Sequence, residues 1–271
     1  MKKAGLQKIL RNHEKKFARL TAKISKTFSP KDIHQFRIEY KKFRSLLVLV
    51  SFTLSAKHPI KIRRWVKKIY KLSGSLRDDY LFLQKLKTLS IDHSAPLMHF
   101  AVKLKSEFRS VKKEWKKIKT RQFSSRDVIK PSDADFPRKI SKALFQDYLV
   151  KNAAAIDTLV NKKSMSDSQL HFLRKIIKER SYNMSLWINI YGEKIIPRRV
   201  RSHMEELQHL MDELGIFNDL ATFQVRVKEL NGSNDPLKGQ SVIHRVTEKV
   251  KVEKQKIYSK IVEEIIPSIR E

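Results

Sequence analysis

The stretch IHQFRIEYKKFRSLLVLV, residues 33–50, decides the fold. Ile33, Phe36, Tyr40, Phe43, Leu47 and Val50 recur at steps of three and four, the period of an α-helix rather than of a strand. On a wheel of about 100° per residue these apolar positions fill one side. His34, Arg37, Lys41 and Arg44 form a second stripe spanning about 80° beside it. The cations therefore stand at the edge of the expected core rather than opposite it. Solvated lysine and arginine stems lying along an apolar edge give the same pattern in many helices. The question is whether anything else in the chain sets this one apart.

Working outward, the whole chain reads as helical. Pro30, Pro59, Pro96, Pro131, Pro137, Pro197, Pro236 and Pro267 fall where helices should break. Between them the apolar period is helical, and no alternating strand run appears. Eight long helices are expected near 3–28, 31–55, 58–89, 95–121, 136–163, 167–190, 197–230 and 238–266. Ser29-Pro30 with Asp32, Asp167-Ser168 and Asn234-Asp235-Pro236 supply start signals for the second, sixth and eighth. The segment SSRDVIKPSDADFP, residues 124–137, reads as a linker between a first unit, 1–130, and a second, 131–271.

The two units echo each other. LHFLRKIIKERSYNMSLW, residues 170–187, places His171, Arg174 and Lys178 at the offsets of His34, Arg37 and Lys41. LSGSLRD (72–78) aligns with LGIFND (214–219), matching Gly74 with Gly215, Arg77 with Asn218 and Asp78 with Asp219. Both pairs keep their order along the chain. The third helix adds its own basic stripe of Arg64, Lys67, Lys68 and Lys71 opposite Trp65, Val66, Ile69 and Leu72. Two basic stripes on neighbouring antiparallel helices would converge on one groove. Cations crowded there repel one another, and a bound polyanion would relieve them. Arginine offers a forked donor to phosphate and lysine a point charge. A phosphate beside His34 or His171 should raise the imidazole pKa.

The segments IHQFRIEYKKFRSLL, LSGSLRD, LHFLRKIIKERSY and ELGIFND resemble the signature segments of the CHAD family, the conserved histidine α-helical domain. The resemblance spans nearly the whole chain. It implies an all-α fold of two four-helix bundles related by a pseudo-twofold axis, with a basic groove or pore at their junction. It also implies binding of inorganic polyphosphate without catalysis by the domain. Carried over by position, His34, Arg37, Lys41 and Arg44 match the first motif and His171, Arg174 and Lys178 the second; Lys42, Arg201 and the stripe Arg64, Lys67, Lys68 and Lys71 complete the expected phosphate-binding residues. The second unit departs from the first at Glu179 and Ser181, where the first has Lys42 and Arg44, and at Glu205 and Gln208 on its seventh helix. An asymmetric site, stronger in the first unit, is expected.

Composition bounds the alternatives. The 271 residues carry 59 Lys+Arg against 28 Asp+Glu, a net charge of +31, while 41% are hydrophobic. This is a chain with a core to bury and a long-range attraction for polyanions. The absence of cysteine excludes disulfides, thiol nucleophiles and thiolate-held zinc. The start MKKAGLQKILRNHEKK lacks the apolar run of a signal peptide, and LLVLV is far too short to span a bilayer. A cytoplasmic protein at polyphosphate granules, with no membrane insertion, is the expectation.

No phosphate-binding loop, dinucleotide fingerprint or nucleophile elbow occurs, nor the Glu-x-Glu-x-Lys segment of the triphosphatase domains fused to some CHAD proteins. One Glu-x-x-His, Glu206 to His209, lacks the second copy that a di-iron bundle needs. No enzyme activity, metal or cofactor is expected, and His13, His58, His93, His99 and His244 read as surface or loop residues. Nucleic acid is the second choice of partner. Arg109, Lys112, Lys113, Lys116, Lys117 and Lys119, with Lys249, Lys251, Lys254, Lys256 and Lys260, could track a phosphate backbone. Against it, the aromatics keep core spacing rather than forming a stacking platform.

Overall fold

The computed structural model describes residues 1–54, 60–88, 95–122, 128–129, 136–162, 164–196, 198–201, 204–231 and 240–270. Eight long helices follow one another in the expected order: α1 (Lys3–Thr27), α2 (Pro30–Thr53), α3 (Arg64–Thr88), α4 (Ala95–Gln122), α5 (Lys142–Val160), α6 (Asp167–Tyr191), α8 (Met204–Asn231) and α9 (Gln240–Ser259). Two short helices, α7 (Arg198–Arg201) and α10 (Ile266–Arg270), complete an all-α fold. Among the described residues the only extended pairings are the isolated bridges Lys2–Lys139 and Ile62–Ile129.

Those bridges explain where the helices start late. The third helix, expected from 58, begins at Arg64 because Ile62 pairs with Ile129 and the Arg63 N–H donates to the Val128 carbonyl at 3.0 Å. The fifth, expected from 136, begins at Lys142. Residues 138–140 are instead laced to the amino terminus, through Lys3 N–H to Arg138 O at 2.9 Å and Ile140 N–H to Met1 O at 2.8 Å. The Ser141 hydroxyl then caps α5 by accepting from the Leu144 N–H. At the sixth helix the cap is Ser166, in a capping box with Gln169, one residue before the expected start signal.

The seventh expected helix is described as α7 and α8, and residues 202–203 between them lie outside the described residues. The eighth passes through a wide π turn, Lys260–Ile265, before α10. Pro267 has no N–H to donate and its ring would crowd the carbonyl four residues back; the wide turn before it relieves both. Asn234-Asp235-Pro236 and most of the 124–137 linker lie outside the described residues.

Three cores hold the helices together. The first gathers α1–α4 and continues past residue 130 into Ile140, Phe145 and Leu149 of the α5 side and Met184 and Trp187 of α6. The second joins the rest of α5 and α6 to α8, the π turn and α10. The third ties the ends of α3 and α4 to α8 and α9, with Phe82 stacked on Phe223. Helix α2 packs against α1, α3, α5 and α6. This is why the run LLVLV, residues 46–50, is apolar all round: Leu46, Leu49 and Val50 are fully buried.

The expected apolar stripe of α2, from Ile33 to Val50, is buried in full. His13, expected at the surface, is instead drawn inward by the buried carboxylate of Glu39, its Nδ1 2.7 Å from Oε1. Glu39 is held below the usual carboxylate range by that hydrogen bond and by the charges of His13 and Lys16, against the opposing effect of burial. A buried carboxylate needs such partners.

Candidate anion-binding site

Helix α2 packs on α6, and α3 on α8. The four segments that repeat in sequence thus meet along one seam, where a cleft of about 1040 Å³ opens. Its basic end is built by His34, Arg37 and Lys41 of α2, Arg77 of α3, and Arg174 and Lys178 of α6. Two carboxylates, Asp78 of α3 and Asp219 of α8, stand among them.

The helices approach closely enough to fix the arginines. Arg37 lies across Gly74, so that a Cβ built on that glycine would sit 2.8 Å from Nη1. Its Nη1 also donates to the Tyr70 carbonyl at 3.3 Å, and the guanidinium rests 4.8 Å above the Tyr70 ring, which itself stacks on Tyr40. Arg174 lies against Gly215 in the same way, but with more room: a Cβ there would be 3.6 Å from Nη2. The Arg174 Nε is buried without a hydrogen-bond partner.

The electrostatics show what this crowding does. Lys41 is pushed down to about 8, first by burial and then by Lys178, Arg37 and Arg174, with Asp219 acting the other way. Lys178 is lowered by burial and Arg174. His34 is lowered by burial, by Arg77 and by three further cations. Asp78 is raised by burial and by Asp219, although Arg37 and Arg77 pull it down. Asp78 and Asp219 are thus the internal counter-ions of a cation cluster that they do not neutralise.

The other end of the cleft is acidic. Arg226 of α8 bridges Asp79 at 3.0 Å, Glu107 and Glu229, and Lys85 pairs with Glu253 at 2.8 Å. Burial, then Glu107 and Asp78, raise Asp79 to about 6 against the pull of Arg226.

Of the residues expected from sequence, His34, Arg37, Lys41, Arg174 and Lys178 converge here. His171 stands at the margin, its Nδ1 2.7 Å from the Asn218 Oδ1. The others lie elsewhere. Lys42 is exposed on the far side of α2. Arg44 lies near Glu179, whose carboxyl accepts from the Tyr148 hydroxyl at 3.2 Å in a buried network with Asn183 and Ser45. Arg201 donates to its own loop, at the Ile196 carbonyl. Arg64 and Lys68 face α4 in a second cleft, and Lys67 and Lys71 are exposed beside them. The contributors that sequence reading missed are Arg77 and Tyr182. Arg77 was within reach, since it stands in the quoted LSGSLRD; Tyr182 carries no such signal.

The sequence model of the CHAD domain matches residues 8–228. The chain belongs to the CHAD domain family. The CHAD fold is also that of the crystal structure of the CHAD domain from the plant Ricinus communis, with a TM-score of 0.63 and 14% identity over 97% of this chain and 88% of that one. At this identity the likeness concerns the fold alone. No curated protein matches the sequence. Among the described residues, no helix of this CHAD domain is long and apolar enough to cross a membrane.

Proposed function

We propose that this CHAD domain binds inorganic polyphosphate in the basic end of the seam cleft, without catalysing a reaction on it. The observation that carries the reading is Lys41: a half-buried lysine pushed down to about 8 by burial and three neighbouring cations. A fold retains such a group at a cost to its own stability, and a multivalent anion removes that cost by supplying the missing counter-charge. Phosphate chains fit the mixed donor set, with arginine forks at Arg37 and Arg174 and point charges at Lys41 and Lys178. A bound phosphate chain moves the His34 pKa up, against the burial and the cations that lower it. A cytoplasmic setting at polyphosphate granules goes with this function.

The test is competition at matched ionic strength between labelled long-chain polyphosphate and single-stranded or duplex oligonucleotide. Polyphosphate wins near physiological salt, and triphosphate competes poorly because it reaches few of the cations. Equal binding of oligonucleotide, with salt dependence accounting for all of it, would replace this reading by nucleic-acid binding.

A further inference from the structure

A second cleft, of about 660 Å³, runs between α3 and α4. Arg64 and Lys68 form one rail on α3, and Lys113 and Lys117 form another on α4. Each pair is spaced i, i+4, so its members project from the same side of their helix. All four are exposed. Glu114, ion-paired to Lys68, is the one carboxylate among the described lining residues. Lys112, the neighbour of Lys113, is turned away over the rings of Phe108 and Phe28.

This cleft meets the seam cleft at Ser110, which lines both. The end of the seam cleft that holds Ser110 also holds Asp79, Glu107 and Glu229. A phosphate chain running from His34 and Lys41 to Lys68 and Lys113 by way of Ser110 would have to cross that acidic wall. Where the two clefts meet, they therefore do not join into one basic track. The occupant is a flexible phosphate chain rather than nucleic acid. Among the described lining residues the one aromatic, Trp65, is packed against the first core, whereas base stacking requires several open ring faces.

We infer that the α3–α4 cleft is a second, independent phosphate-chain site, so that long polyphosphate engages the domain at two places and short oligophosphate fills them one at a time. This extends the polyphosphate reading of the seam cleft. With two sites on one chain, the second contact of a long polyphosphate becomes intramolecular and raises its affinity well above that of a short one.

The test uses the full chain and four variants, each checked for helicity by circular dichroism. Lys68→Ala with Lys113→Ala and Lys117→Ala removes three of the four cations that line the second cleft. Lys41→Met with Lys178→Met weakens the first. Lys249→Ala with Lys251→Ala and Lys256→Ala removes the same charge from the exposed face of α9 as a control. Glu114→Gln releases Lys68. In calorimetric titration with a short oligophosphate, the unaltered chain shows two binding events. The second-cleft triple loses one and keeps the other at unchanged affinity. It also lowers affinity for long chains by about tenfold or more, while Glu114→Gln raises it. A single event in the unaltered chain, or equal losses in the second-cleft and α9 triples, overturns the second site in favour of diffuse charge. Oligonucleotide binding lost in the second-cleft triple while oligophosphate binding is kept assigns the cleft to nucleic acid instead. Loss confined to the second-cleft triple, with Lys41→Met/Lys178→Met silent, would sink the seam-cleft reading and leave the second site standing.

Discussion

The two walls of the seam cleft are built by one device and charged differently. On the α2–α3 wall, Arg37 lies over Gly74 and His34 faces Arg77. On the α6–α8 wall, Arg174 lies over Gly215 and His171 faces Asn218. A glycine lets each helix pair close on an arginine, and the residue one turn later sets the character of the wall. Arg77 makes the first wall repel protons and attract anions; Asn218 gives the second a neutral hydrogen-bond partner. The backbone device fixes position, and the variable residue fixes field.

The strongest way to break the comparison is to remove the lysine that each wall places at the centre. Lys41→Met with Lys178→Met keeps the stems and deletes the charges. Affinity for polyphosphate falls about tenfold per lysine, with Lys41 the larger share, as measured by anisotropy. Without ligand the protein melts higher, because a lysine held at about 8 instead of 10.5 costs on the order of 3 kcal/mol while it must stay protonated. That cost is present in full below pH 8, where folded and unfolded chains both hold the proton. Between pH 8 and 10.5 the folded chain releases it first, so this cost shrinks as pH rises. The melting advantage of Lys41→Met is therefore largest at neutral pH and fades through that window. Binding to the unaltered chain near pH 8 takes up protons, and calorimetric enthalpies in buffers of different ionisation heat measure them.

Exchanging the variable residues sharpens the comparison further. Arg77→Asn removes one cation from the first wall and relieves His34, whose NMR titration moves up; affinity falls several-fold. Asn218→Arg adds a cation to the second wall at the matching place, and affinity rises by a similar factor. Should Asn218→Arg lower affinity, the His171–Asn218 pair is a required contact and not merely a neutral stand-in.

The helices and the cation stripe of α2 were legible because both depend on the period of one helix. The partner of a stripe was not. A helical wheel gives the direction of a side chain and leaves open which neighbour it meets. Arg64 and Lys68 have the right chemistry but face α4, whereas the α3 cation that enters the seam is Arg77. Arg44 likewise carries the right charge in the wrong layer, beside Glu179, whose carboxyl belongs to the buried network of Tyr148, Asn183 and Ser45. Lys254 was grouped with the cations that could track a phosphate backbone. Instead it pairs with Asp167 and covers the Phe217 ring, which makes it a clamp between α9 and its neighbours and a poor control for diffuse charge. The glycines were the most informative letters, since their spacing marks close approach, and close approach is a property of two helices at once.

The smallest expected effect tests that last point directly. In a helix, glycine to alanine stabilises by up to about 1 kcal/mol where space allows. At Gly215 the new methyl would meet Arg174 at 3.6 Å, an ordinary contact, so Gly215→Ala raises the melting temperature and leaves polyphosphate affinity unchanged. At Gly74 it would meet the Arg37 Nη1 at 2.8 Å. The guanidinium is the end of a flexible chain and moves aside, losing its hydrogen bond to the Tyr70 carbonyl and its seat on the ring. Gly74→Ala therefore gains little or nothing in stability and loses a few-fold in affinity, the size of one misplaced charged donor. Melting curves and anisotropy on the two variants side by side decide it. Equal behaviour of the pair would mean that the closer approach at Gly74 does not position Arg37, and that the two walls differ only in charge.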